Sequence, residues 1–526
     1  AGAVEKSKFR KTDVNREYKV SRSYPDVLVV PRTVTDADIL RSGQFRSEGR
    51  VPALTWCGRS GGSIWRCSQP RVGLQGHQCA EDEKLVREIG RSEGRGRGEG
   101  GRIYPPDYLY AMSGGLGLEQ VVNRCASDVR VFDLRPKSSA VANRATGGGY
   151  EMQGAYPKAE IKFYNIQNIH AVRDSMTRLR ALCESPQASD IDFGSKAEST
   201  GWLTHLRTIL SASWELAFIV SHKKVPCLVH CSHGWDRTSQ VCALAQLLLD
   251  PYYRTIDGFS ALVEKDWLSF GHPFHLRCMH GEAKGARNDD QSSPVFLQFL
   301  DCVAQLVAMF PSFFEFNGRY PMLVATHIWS CRFGTFLGNT ECERIGEDYR
   351  GRTHSLWTYL SQNKAYLTSP FYDRRGKQES GEDKLFLPPL STILRRVKVW
   401  EYFLQKSPKE TLAGVPERVG KFKFPPPPPP PERSSEDDAS SFASSSPPPA
   451  PSGLDFKDPL SRPDVDPDIF GMRCDGDEGE AWMRSAEDDA RAAEARHREQ
   501  KRRADLARSL SVGVEQVVFE EGEEGV

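Results

Sequence analysis

Short apolar runs bounded by turn-forming residues alternate with longer amphipathic segments along residues 9 to 410. DVLVVP at 26–31, VRVFDL at 129–134 and PCLVH at 226–230 have the length and apolar density of buried strands. EKLVREIG, HAVRDSMTRLRALC and HLRTILSASWELAFIV instead repeat apolar positions at three- and four-residue spacing, which predicts helices. Such alternation predicts an α/β fold, a twisted central sheet flanked by helices. The longest apolar stretch, Phe296 to Phe314, is broken by Gln298, Asp301, Gln305 and Pro311, so it predicts a buried helix rather than a membrane span.

The pattern fails in three places. RSEGRGRGEGGRI, at about 91–103, has no apolar periodicity and predicts a solvated surface insertion. A run of seven prolines starts at Pro425 and is followed by SSEDDASSFASSSPPPAPS, so 411–477 is expected to be a disordered, extended linker. Residues 478–526 are rich in Ala, Glu, Arg and Asp with few large apolar side chains, which predicts a charged tail that is disordered or a solvated helix. The expected organisation is a short extension at 1–8, one body at 9–410, a linker and a tail.

Composition narrows the chemistry. Lys+Arg and Asp+Glu number 70 each, so the net charge is zero and no global field favours nucleic acid. Any anion site must be local. Thirteen cysteines without C-x-x-C pairs argue against a zinc module or a secreted disulfide framework, and a reducing, cytoplasmic setting is expected, with no signal peptide.

KKVPCLVHCSHGWDRTSQVCALAQLLLD reads as an apolar strand, a tight loop and an apolar helix. Cys231 and Arg237 stand at C-x5-R spacing, which is weak evidence alone and stronger in that context. A strand-to-helix loop turns backbone N–H groups inward, and the helix N-terminus adds partial positive charge, so Ser232, His233, Gly234 and Trp235 would line a phosphate cradle. The same field favours the Cys231 thiolate, a nucleophile, while Arg237 offers paired donors to the phosphate oxygens. The alternative for Cys231 is an inert buried thiol. Asp236 is a candidate proton donor to the leaving oxygen, or else a residue that orients the loop. Thr238 would bond near the sulfur or cap the helix, and Trp235 would wall the pocket or pack.

HCSHGWDRTSQ resembles the loop of the myotubularin family, HCSDGWDRT. The resemblance runs from FRKTDVNREYKVSRSYPDVLVVP through GRVPALTW, SQPRVGL, DLRPKSSAVANRATGGGYE, NIQNIHAVRDS and LDPYYRTIDGFSALVEKDWLSFGH to SLWTYL near residue 359. It implies a cysteine-dependent phosphatase-like domain that removes the D3 phosphate of phosphatidylinositol 3-phosphate and phosphatidylinositol 3,5-bisphosphate through a cysteinyl-phosphate intermediate, without metal or cofactor. It further implies headgroup contacts at Asn143, Asn168, Ile169 and Arg277, and work in the cytoplasm at endosomal-type membranes.

Two positions depart from the family pattern. His233 replaces an acid, and its imidazole is expected to titrate near neutrality. Pro273 replaces a second arginine four residues before Arg277, which would remove one headgroup donor. The match also begins near residue 1, so the PH-GRAM domain that precedes the family's catalytic domain is expected to be absent. Two rival readings remain: a weak or inactive phosphoinositide-binding adaptor of the same family, and a protein tyrosine or dual-specificity phosphatase. Phosphoinositide headgroups are the expected partners, with a proline-recognition domain a candidate for the proline run, and homo- or hetero-dimerisation left open.

Overall fold

Residues 227 to 231 alternate strictly between two apolar cores: Cys227, Val229 and Cys231 join one, Leu228 the other. That period of two is what a strand covered on both faces requires. The computed structural model describes residues 8–58, 61–92, 128–185, 191–280, 289–372 and 385–404. The strands are β1 (Phe9–Thr12), β2 (Leu28–Pro31), β3 (Ala53–Cys57), β4 (Ser63–Cys67), β5 (Val129–Asp133), β6 (Ala159–Phe163) and β7 (Cys227–His230). β1 and β2 pair antiparallel, and the other five form a mixed sheet in the order β3-β4-β7-β5-β6. Only β3 and β4 run antiparallel in it; β4, β7, β5 and β6 are parallel.

The sheet's two cores are unequal. The larger is built from helices Ile169–Glu184, Trp202–Phe218, Arg237–Leu249 and Val295–Met309, the smaller from β1, β2 and helix Ala80–Ser92. The mixed α/β architecture expected from the sequence is therefore present. The apolar run from Phe296 is a buried helix, Val295–Met309, that stops before Pro311. Among the described residues no helix is long and apolar enough to cross a membrane.

β7 is the middle strand, and the loop that leaves its C-terminal end passes into helix Arg237–Leu249. In parallel sheets the carboxyl ends of the strands are where ligands meet loops and helix N-termini. Every residue of that helix after Arg237 is buried, so the loop is seated on a rigid support. Helix Ala80–Ser92 runs two residues into the stretch expected to be a surface insertion. The rest of that stretch, residues 1–7 of the N-terminal extension, the proline run and the charged tail lie outside the described residues.

Candidate active site

The loop is held from behind. Arg50 Nη2 and Arg66 Nη2 both donate to the Gly234 carbonyl, at 3.0 and 2.9 Å. The Gly234 N–H, on the preceding peptide plane, faces inward, 3.3 Å from Cys231 Sγ. Gly234 has φ +80°, and a Cβ there would lie 2.2 Å from the Cys67 carbonyl oxygen. Gly234→Ala should thus cost at least about 1–2 kcal/mol from the left-handed backbone alone, with the clash added. The expected readout is a lower Tm and lost phosphate binding; a wild-type Tm would show that the loop does not need this conformation.

Cys231 is 2% exposed and sits at the base of the loop. Thr238 Oγ1 donates to its sulfur at 3.3 Å, which decides the role of Thr238 in favour of the sulfur. Burial by itself would raise the thiol pKa, yet the Arg237 charge and the Thr238 hydrogen bond outweigh it and hold it below the ordinary value. Arg237 spans the mouth, its Nη2 3.4 Å from Ser232 Oγ and its Nη1 3.2 Å from the Ile166 carbonyl.

Asp236 occupies the N-cap of the loop helix but makes no capping hydrogen bond. Its carboxylate is taken up elsewhere: Arg277 Nε reaches Oδ1 at 3.1 Å, Arg277 Nη2 reaches Oδ2 at 2.9 Å, and His272 Nδ1 lies 3.1 Å from Oδ1. Burial pushes the Asp236 pKa up, but Arg277 and His272 overrule it and hold the group far below the usual carboxylate range. Burial depresses His272 in turn, so a neutral ring donates from Nδ1 toward Asp236 and the Trp235 carbonyl at 3.0 Å. The expected headgroup ligand Arg277 and the expected proton donor Asp236 are thus each other's partners.

The remaining candidates are spread around the rim. The Asn143 side-chain amide stands 3.3 Å from Ser232 Oγ, which brings it to the loop. Asn168 caps helix Ile169–Glu184 by accepting from the Ala171 N–H at 3.1 Å, and the Ile169 carbonyl accepts from Ser293 Oγ at 2.9 Å. Both lie just beyond Ile166, the Arg237 contact. Trp235 is buried and stacks on His233 with centroids 4.6 Å apart.

His233 does not match the expectation of a ring titrating near neutrality. Although its outer edge is exposed, crowding in the cleft, joined by Arg277, Arg50 and Arg237, lowers its pKa, and Asp236 only partly opposes this. Pro273 is the buried N-cap of helix Phe274–Cys278, and its carbonyl accepts the Arg277 N–H at 2.8 Å.

Sequence reading missed Arg50, Arg66 and His272. Arg50 and Arg66 act across 184 and 168 residues on one carbonyl, a pairing no local pattern encodes. Among the described residues no cluster of three or more His, Cys, Asp or Glu could hold a metal ion.

The fold and site define an α/β protein with a buried thiol in a strand-to-helix loop that also carries Arg237. Residues 2–345 match the model of the Myotubularin-like phosphatase domain, and the chain belongs to that family. It is 39% identical over 403 residues to "Myotubularin" of Xenopus laevis, covering 76% of this chain and 60% of that protein. It is 41% identical over 364 residues to "Phosphatidylinositol-3,5-bisphosphate 3-phosphatase MTMR8" of Gallus gallus, with 69% and 52% covered. For "Phosphatidylinositol-3,5-bisphosphate 3-phosphatase MTMR2" of Bos taurus the identity is 40% over 403 residues, with 76% and 56% covered. The chain thus spans only about half to three fifths of the length of these relatives.

Proposed function

We propose that the chain is a phosphoinositide 3-phosphatase acting on phosphatidylinositol 3-phosphate and phosphatidylinositol 3,5-bisphosphate. The observation that supports this reading is the Cys231 thiol, whose pKa Arg237 and the Thr238 hydroxyl hold below its ordinary value, with the Gly234 N–H also directed at the sulfur. Cys231 attacks the D3 phosphorus, forming an S–P bond as the P–O bond to inositol breaks, and the leaving oxygen takes a proton from Asp236. Water then cleaves the cysteinyl-phosphate. Arg237 stabilises charge on the transferring oxygens, and Asn143, Asn168, Ile169 and Arg277 bound the headgroup site. Work at the cytoplasmic face of endosomal-type membranes is part of the same reading.

The test is phosphate release from short-chain phosphatidylinositol 3-phosphate and from a phosphotyrosine peptide. Release from the lipid alone is expected. Release from the peptide alone would make the chain a protein phosphatase, and binding of the lipid without release would make it an adaptor.

A further inference from the structure

His230 precedes the nucleophile, and because successive strand residues face opposite ways, its ring enters the smaller core while Cys231 faces the larger one. There both ring nitrogens meet acceptors. Nδ1 lies 3.1 Å from the Cys231 carbonyl oxygen, and Nε2 lies 2.9 Å from Glu151 Oε2. A carbonyl cannot donate and an ionised carboxylate cannot either, so satisfying both contacts requires a ring that donates from both nitrogens.

Charge counting leads independently to the same state. The other Glu151 oxygen accepts from Arg46 Nη1 at 2.6 Å, while Arg46 Nε and Nη2 bind Asp82 at 2.9 and 2.6 Å. Arg46, Asp82, Glu151 and His230 are all fully buried. One arginine and two carboxylates leave a buried net charge of −1, and a protonated His230 brings it to zero; an unpaired buried charge is costly. The other groups nearby do not alter the count. Tyr156 and Ser42 give neutral hydroxyl donors to Asp82, Cys67 is a thiol kept protonated by burial, and Asp133 and Arg135 neutralise each other at 2.7 Å.

We propose that Glu151 is a positioning residue that keeps His230 an imidazolium, so that a permanent positive charge and a fixed Cys231 carbonyl lie beneath the anion loop. The proposal rests on the phosphatase reading only for its consequence; the charge state itself does not depend on it. Burial disfavours the cation, but Glu151 outweighs it and raises the His230 pKa, with Asp133 adding to and Arg135 opposing the effect, in agreement with the geometry. With the charge gone, the Cys231 thiolate loses support from below.

The test has two arms, neither needing substrate. In the full chain labelled with ¹⁵N-histidine, the His230 ring is expected to show two protonated nitrogens at pH 8. A neutral ring there would overturn the proposal, whatever the variants do. In Glu151→Gln, the pH midpoint for iodoacetamide alkylation of Cys231, resolved by mass spectrometry, should rise by roughly one unit or more. Reactivity should then recover at higher pH, which a merely misfolded loop would not show. An unchanged midpoint in folded Glu151→Gln would also overturn it. Absence of phosphatase activity in a wild-type protein that passes both arms would sink the functional reading and leave this one standing.

Discussion

Cys231→Ser is expected to abolish turnover, with a loss on the order of 10⁴-fold or more, while lipid binding stays close to wild type. The hydroxyl fits the space of the thiol and accepts from the same Thr238 hydroxyl and Gly234 N–H, which stand 3.3 Å from sulfur. It cannot become an anion near neutral pH, whereas the thiolate is favoured at this position. The variant should therefore retain substrate that the wild-type protein releases as product. Measuring phosphate release together with retention of phosphatidylinositol 3-phosphate on short-chain lipid checks both halves. Wild-type-like turnover would remove the cysteinyl-phosphate from the mechanism. Arg237→Ala should lose turnover as well, but it should also lose binding, because Arg237 offers donors to the phosphate rather than an attacking atom.

Much of this site was legible because its grammar is local. PCLVH forms β7 and the helix begins at Arg237, since an apolar strand, a glycine-bearing loop and a helix without internal breaker leave few alternatives. VRVFDL likewise contains β5, and HAVRDSMTRLRALC lies within Ile169–Glu184. What was not legible is tertiary. β3 and β4 form an antiparallel pair across GRSGG, a turn signal that the strand reading passed over, and Arg66 at the end of that pair reaches Gly234. The protonation of the site was hidden for the same reason. His233 looked like a neutral-range titrating group until its desolvation beside Arg277, Arg50 and Arg237 was visible, and His230 looked like an ordinary strand residue until Glu151 was seen against it.

Asp236→Asn is expected to slow turnover by about 10²- to 10⁴-fold, the range typical of a lost acid catalyst. Its pH behaviour should be unusual, because the donor starts without a proton. In the ligand-free site Arg277 and His272 keep Asp236 ionised, and its pKa is depressed, so the carboxylate persists throughout the neutral range. The proton must then arrive with the substrate. A phosphate monoester has its second pKa near about 6, so its monoanion carries one proton that Asp236 can take up and return to the leaving oxygen. The sign follows: kcat/KM should fall as pH rises above about 6, as the monoanion disappears. Arg277→Gln removes the charge that overrules burial, and burial then raises the Asp236 pKa. The alkaline limb should move to higher pH in that variant, and return to lower pH when Asp236→Asn is added. KM should rise by roughly 10- to 100-fold in Arg277→Gln, the equivalent of one charge-assisted hydrogen bond to the headgroup. A shifted limb with unchanged KM would confine Arg277 to holding Asp236, and an unchanged limb would mean that Asp236 does not deliver the proton.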